Sequence, residues 1–355
     1  MAAVPIVDFS VYTLDQTSDQ TNDQTNDHDT RRAVAQQIDE AFRTVGFVYL
    51  KNHGVPKEQL KECFDWSQKF FSLPLETKLL APHPPGGSHH RGYSAPGLEK
   101  VTQHTYTTAS LAAARSIPDC KESFEAGNAL DVSQPNIWPP DHVLPGFRTF
   151  IETAFFPSCT ALVHNLLNAL STALEVPDPG LSPTHSLSHF QLRLLHYPPL
   201  PAARLANNTA ARISAHSDFG SLTLLFQDAV GGLEIADPQR PERFRAVEPV
   251  EGAVLVNVGD LLSRWSNGRW VSTVHRVGAP AVDGERRGGG GETMLPDRYS
   301  IPFFAAPDPD TLIEALPGCW GEGRPKLYES VTAREYVQMR MAALYEGGKE
   351  EEEEK

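Results

Sequence analysis

The sequence predicts a mainly β protein with flanking helices, in which a sandwich or barrel follows a more helical half. Two observations carry that reading. After about residue 187 the chain breaks into short β-rich runs separated by Gly, Pro, Asn and Asp, the spacing of packed antiparallel strands. Before it, apolar residues recur every three or four positions over long stretches, the period of helices with one buried face.

Taken in order, "PIVDFS" reads as a short strand and "TRRAVAQQIDEAFRTVG" as a helix carrying Val34, Ile38, Ala41 and Phe42 along one side. "GFVYLKNHGVP" reads as an alternating strand closed by a turn. "KEQLKECFDWSQKFFSLP" and "FRTFIETAFFPSCTALVHNLLNALSTALEV" return to helical spacing, the second as a scaffold helix interrupted at Pro157. The β-rich half then comprises "FQLRLLHYP", "RISAHSDFGSLTLLFQD", "GGLEIAD", "FRAVEPV", "AVLVNVGDLLSRWSNG", "WVSTVHRVGAP" and "DRYSIPFFAAP". The chain thus divides into a supporting region, residues 1–186, and a core, residues 187–346. The polar repeat at 16–27 and the acidic tail at 347–355 have no apolar face to bury and are expected to be disordered.

Composition sets outer bounds. At 355 residues and 40% hydrophobic, the chain can bury a sizeable core. Its net charge of −14, without clustered Lys and Arg, argues against a nucleic-acid partner. The N-terminal "MAAVPIVDFSVYTL" has no basic segment followed by a long apolar run, and no later stretch is apolar enough to span a bilayer, so neither secretion nor a membrane partner is expected. Cys63, Cys120, Cys159 and Cys319 lie far apart, which argues against a disulfide framework or a thiolate zinc site and suits a reducing, cytoplasmic compartment. A monomer is expected.

The chemistry concentrates in the second half. In a strand, residues two apart share a face, so His216 and Asp218 of "RISAHSDFG" would aim an imidazole and a carboxylate the same way. His275 in "VSTVHRVGAP" sits on a second β-branched run. Two imidazoles and one carboxylate, leaving half of an octahedral coordination sphere open, form the facial triad of non-haem Fe(II) oxygenases. Arg298 and Ser300 in "DRYSIPFF" also share a face, and a guanidinium beside a hydroxyl suits a carboxylate. Each element alone is weak, since salt-bridged His-x-Asp and structural Arg-x-Ser pairs are common; their order along the chain is the stronger signal. Asp260 in "NVGDLLSRWSNG" reads as the cap of a strand end before a hairpin turn, and His89 and His90 as solvated loop residues.

With these motifs the sequence resembles the Fe(II)/2-oxoglutarate-dependent dioxygenases of the isopenicillin N synthase-like family. The resemblance runs from Pro5 to about Tyr345 and includes "GFVYLKNHGVP", the HxD, "NVGDLLSRWSNG", "HRV" and the RxS. Within that family the segments "RGYSAPGLEKVTQ", "PDCKESFEAGN", "LRLLHYP", "SLTLLFQD" and "RYSIPFF" are similar to the fungal thymine 7-hydroxylases. The resemblance implies a double-stranded β-helix, a jelly roll of the cupin kind. It implies Fe(II) on His216, Asp218 and His275, and 2-oxoglutarate on Arg298 and Ser300 with a hydroxyl from Tyr197. O2 would be the oxidant, succinate and CO2 the coproducts, and ascorbate a supportive reductant.

For the substrate, the resemblance points to Arg193 and Phe304, while the tyrosine expected directly after the HxD aspartate is Phe219 here. A pocket that reads a polar ring through that hydroxyl would lose one hydrogen bond, which argues against thymine itself. Phe219, Phe303 and Phe304 would form an apolar wall, and the loop 89–97, with Tyr93, would close over it. The Gly-rich stretch 281–297, longer than the family's usual connection, reads as a surface insertion. The expected function is hydroxylation of a small aromatic, heteroaromatic or polyketide-like molecule in specialised metabolism. Desaturation, ring expansion or ring closure on the same iron centre is the alternative, and a non-enzymatic jelly-roll binding protein a second one. The intact metal and carboxylate motifs argue against the latter, and product mass separates the others.

Overall fold

The computed structural model describes residues 3–13, 24–85, 89–97, 119–207, 210–280 and 293–345. Residues 16–23 of the repeat, 281–292 of the Gly-rich stretch and the acidic tail lie outside the described residues. The strands that build the site are, in chain order, β1 (Ile6–Asp8), β2 (Phe47–Lys51), β3 (Gly92–Ser94), β4 (Glu122–Gly127), β5 (Gln191–Tyr197), β6 (Leu200–Pro201) and β7 (Ile213–His216). They continue as β8 (Leu222–Gln227), β9 (Leu233–Asp237), β10 (Arg240–Ala246), β11 (Ala253–Val258), β12 (His275–Val277), β13 (Met294–Leu295) and β14 (Arg298–Ala305).

Two sheets face each other. The larger has the order β1-β2-β11-β8-β14-β5-β4-β3 and the smaller β10-β9-β12-β7, the arrangement of a jelly roll. The supporting region and the core share the larger sheet: β2 pairs with β11, and β4 with β5. Period-two alternation dresses the larger sheet differently on its two sides. Val254, Val256, Leu222, Leu224, Phe226, Ile301 and Phe303 pack in one cluster with the helices Gln24–Thr44, Lys57–Phe71 and Phe156–Leu174. The other side, with Phe47, Tyr49, Leu195, Tyr197 and Leu255, meets Ile213, Leu233, Ile235 and Val277 of the smaller sheet. The polar residues of interest lie on this inner side.

Several local expectations change. "RISAHSDFGSLTLLFQD" is two strands, so Asp218 lies in the turn between β7 and β8 and not on a strand with His216. "NVGDLLSRWSNG" is strand β11 followed by the helix Asp260–Trp265, and its "SNG" follows that helix instead of turning a hairpin. Gly220 and Gly259 permit this: a Cβ at Gly259 would stand 2.2 Å from the Gly220 carbonyl oxygen, so the two turns touch backbone to backbone. Pro157 does not break its helix, because a π turn at Ile151–Phe155 precedes Phe156–Leu174 and accommodates the missing N–H. Residues 24–27 of the repeat form the first turn of helix Gln24–Thr44, where Asp27 accepts from Arg31 at 2.9 Å.

One buried ion pair ties this helix to the approach of β12. Asp39 accepts from Arg269 Nε and Nη2 and from the Trp270 indole, each at 2.8 Å. Trp270 is fully buried, and Val271 N–H and the Thr273 hydroxyl donate to the carbonyls of Phe42 and Val45. Asp39→Asn leaves a buried indole N–H and a guanidinium underserved. It is expected to cost roughly 3 kcal/mol, read as a lower urea midpoint at unchanged m-value. An unchanged midpoint would mean that the segment before His275 is held by other contacts.

Candidate active site

His216 ends β7 and His275 opens β12, and the two are direct cross-strand partners with ring centroids 4.3 Å apart. Asp218 returns from the turn beneath them. One donor atom from each of the three lies within 4.8 Å of the others, and among the described residues this is the only such group of three or more metal-ligating side chains. Asp218 Oδ1 stands 3.9 Å from His216 Nε2 and 3.8 Å from His275 Nε2.

The surroundings fix each ligand atom. His216 Nδ1 is 2.9 Å from the Ser214 carbonyl and His275 Nδ1 is 3.1 Å from that of Thr273. A carbonyl only accepts, so Nδ1 carries the proton on both rings and each Nε2 turns its lone pair inward. Asp218 Oδ2 accepts from the Thr223 hydroxyl at 2.6 Å and from the Asn257 amide at 2.7 Å. Thr223 and Asn257 are themselves a cross-strand pair between β8 and β11, so two strands hold that oxygen and leave Oδ1 facing the same space as the two Nε2 lone pairs. Burial alone would raise the Asp218 carboxyl; attraction to His275 and His216 when either ring is protonated, with the Thr223 and Asn257 hydrogen bonds, outweighs it and holds the group below the usual carboxylate value. Burial first, then the neighbouring His275, pushes His216 well below an ordinary histidine, which keeps its ring neutral and ready to coordinate. The donor set therefore fits a divalent iron with open coordination positions.

Arg298 and Ser300 face the same chamber from β14, both about 1% exposed. Arg298 donates to the Gly231 carbonyl (2.8 Å), Ser300 Oγ (3.2 Å) and Gln227 Oε1 (3.1 Å), all neutral acceptors. Tyr197 is its cross-strand partner, and the guanidinium lies 4.9 Å from that ring's centroid. In this structure Tyr197 therefore meets the arginine through its ring face.

The expected substrate residues divide. Arg193 on β5 and Phe304 on β14 share the inner side, with the guanidinium 5.8 Å from the phenyl centroid. Arg193 is also paired at 2.7 Å with Glu125, its fully buried cross-strand partner on β4. His90 stands 3.5 Å from Glu125, half-buried, so it is not the solvated loop residue expected. Tyr93 is misplaced by the sequence reading: segment 92–94 is a strand, and Tyr93 packs on its outer side against Phe70, its hydroxyl donating to Glu122 at 2.6 Å. Phe303 likewise points outward, against Phe156 and Phe190.

Phe219 follows Asp218 and lies under the Arg340 guanidinium of the C-terminal helix Ala333–Tyr345 at 4.5 Å. Asp260 binds Arg340 Nη1 and accepts from Tyr336 (3.1 Å) and Ser272 (2.6 Å), while its backbone N–H donates to the Asp218 carbonyl at 2.8 Å. It opens a helix instead of capping a strand end, and braces the Asp218 turn. Sequence reasoning missed Thr223, Asn257, Glu125 and Arg340. A polar residue amid the Val-rich run of β11 is a signal that could have found Asn257.

Comparison with known proteins agrees with this geometry. Residues 4–141 match the family described as non-haem dioxygenase in morphine synthesis N-terminal, and residues 188–307 match the 2OG-Fe(II) oxygenase superfamily. The 2-oxoglutarate-dependent dioxygenase frbA of a Dothideomycetidae species is 41% identical, covering 89% of this chain and 92% of its own. The proline hydroxylase buaE of Petromyces alliaceus is 39% identical, with 89% and 94% covered. A full-length Neurospora crassa protein solved in complex with alpha-KG and thymine superposes with a TM-score of 0.79 at 37% identity, covering 96% of this chain and 97% of that one. The chain belongs to the 2OG-Fe(II) oxygenase superfamily. It is a 2-oxoglutarate-dependent non-haem iron dioxygenase.

His216→Ala, Asp218→Ala and His275→Ala are each expected to remove bound iron while the far-UV CD spectrum stays near wild type, because the strands draw their stability from the two apolar clusters. Thr223→Val keeps the ligand but frees Asp218 Oδ2, and is expected to weaken iron binding about 10- to 100-fold in a chelator competition. Full iron affinity in that variant would show that Asn257 alone suffices.

Proposed function

We propose that the chain oxidises a C–H bond of a small ring-bearing molecule, by hydroxylation, at an Fe(II) held by His216, Asp218 and His275. The observation that carries this reading is the division of the Asp218 carboxylate, one oxygen held by two strands and the other turned toward two imidazole Nε2 atoms. Iron, when bound with 2-oxoglutarate and O2, supplies the oxidation that puts one oxygen atom into substrate and the other into succinate, with release of CO2.

The protein's own residues bind and orient. Arg298, with Ser300 and Tyr197, is assigned to the distal carboxylate of 2-oxoglutarate: its present acceptors are neutral, so a carboxylate would be the first anion it bonds. Leu195, Leu225 and Leu255 line the space between the sheets and exclude water from it. Arg193 is assigned to a carbonyl or carboxylate of the substrate, with Phe304 and Phe219 against its ring. Thymine, named with the Neurospora structure, carries carbonyls, and proline, in the name of the Petromyces relative, carries a carboxylate; both groups suit a guanidinium. Phe219 offers no hydroxyl, which favours a less polar ring than thymine. Specialised metabolism is the setting we assign to the reaction.

A screen of cyclic acids, amino acids and ring ketones with Fe(II), 2-oxoglutarate and ascorbate tests this, read by succinate release and product mass. Gain of one oxygen is expected; loss of two hydrogens would indicate desaturation or ring closure instead. Arg298→Leu is expected to weaken 2-oxoglutarate by about 2–3 kcal/mol, roughly 30- to 150-fold, while iron binding survives. Turnover without 2-oxoglutarate would refute the cosubstrate assignment. Phe219→Tyr puts an unpartnered hydroxyl against the ring and is expected to lower kcat/KM for the native substrate about tenfold. Thymine turned over by wild type as fast as any larger ring would overturn the proposed preference.

A further inference from the structure

The chamber contains a second buried guanidinium that the function proposed above does not use. Arg212, one residue before β7, is fully buried. Its Nη2 donates to the Pro296 carbonyl at 2.5 Å, two residues before Arg298, while Nε and Nη1 are buried without a hydrogen-bond partner among the described residues. The guanidinium lies 5.9 Å from the centroid of Tyr197, the ring that Arg298 approaches at 4.9 Å.

Two buried cations therefore share one tyrosine, and no carboxylate is hydrogen-bonded to either among the described residues. Asp228 and Asp297 are the acids near enough to act on Arg212, and both are engaged elsewhere. Asp228 accepts the backbone N–H groups of Val230 and Tyr299, and Asp297 meets His196 Nε2 at 2.7 Å. Burial first, and then Arg298, push the Arg212 guanidinium below its ordinary value, the mark of a charge that lacks a close counter-ion. An uncompensated buried pair of cations is costly, and a bound anion relieves it. A structural arginine bracing the β14 turn would need only the bond to Pro296 and would gain nothing from standing beside Arg298.

We propose that Arg212 is a second cationic determinant of the cosubstrate site, acting with Arg298 around Tyr197 to select a 2-oxo acid with a distal carboxylate. The inference rests on the assignment of Arg298 to 2-oxoglutarate. Arg212 is a positioning residue in this scheme: it orients the Tyr197 ring and adds positive potential where the distal carboxylate enters.

Anaerobic calorimetric titration of the Fe(II)-loaded protein tests it without turnover, using 2-oxoglutarate and 2-oxopentanoate, the same chain ending in a methyl group. Wild type is expected to prefer 2-oxoglutarate by about 100-fold or more. Arg212→Gln is expected to lose about tenfold or more of the 2-oxoglutarate affinity and to hold 2-oxopentanoate within about twofold, with Arg212→Lys recovering most of the loss. Equal weakening of both acids, or unchanged 2-oxoglutarate binding, in Arg212→Gln overturns the proposal. If that variant does not fold, Arg212→Lys decides: retained preference for the dicarboxylate supports a role for charge, and lost preference overturns it. A wild type that binds both acids alike refutes the Arg298 assignment itself, an outcome read before any Arg212 variant is made.

Discussion

The geometry of the site depends on how one carboxylate is shared. Asp218 sits in a turn outside the strand ladders, yet a carboxylate that is to ligate a metal must be held in a narrow range of angles. The cross-strand pair Thr223–Asn257 supplies that restraint at Oδ2. The restraint exists only because β8 and β11 lie side by side at the centre of the larger sheet. Their order in turn requires the Gly220–Gly259 contact, which lets the two chain turns cross without side chains between them. The Asp260–Asp218 backbone bond and the Asp260–Arg340 pair extend the same restraint to the C-terminal helix.

Charge is distributed unequally within the chamber. Around Arg193 the positive charge is answered at once by Glu125, so that region is close to neutral and offers donors and acceptors for a polar ring substituent. Around Tyr197 the hydrogen bonds of Arg298 and Arg212 go to neutral acceptors. A dianionic cosubstrate and a substrate of lower charge would sort between two such regions by electrostatics alone, before any fit of shape. The ordering of the two regions along β5, from Arg193 to Tyr197, places them on one inner face.

Much of this is legible in the sequence because it is local. The alternation in "AVLVNV" and "RYSIPFF" assigns each side chain to a face of the sheet, and the helical period of "AVAQQIDEAF" assigns a buried stripe, since both periods follow from backbone geometry. The candidate metal ligands and the Arg298–Ser300 pair announce themselves through short spacings and order along the chain, and resemblance to a known family extends the same signal. Periodicity also misleads where a turn interrupts it. It puts Asp218 on a strand where a tight turn occurs, and turn signals likewise put Asp260 at a strand end and Tyr93 in a loop over the pocket, where a helix start and a strand occur.

What only the tertiary structure decided is partnership. The pairing of Arg193 with Glu125, the hold of Asn257 on Asp218, the Arg340 guanidinium on Phe219, and the meeting of Arg212 and Arg298 at Tyr197 all join residues far apart in the chain. The sequence by itself determined which atoms could ligate, donate or carry charge, and that side chains within a strand alternate between its two faces. Which charges are answered, and by what, depends on distances that arise only when distant strands pair, because electrostatic and hydrogen-bond energies are set by separation and burial and not by order along the chain.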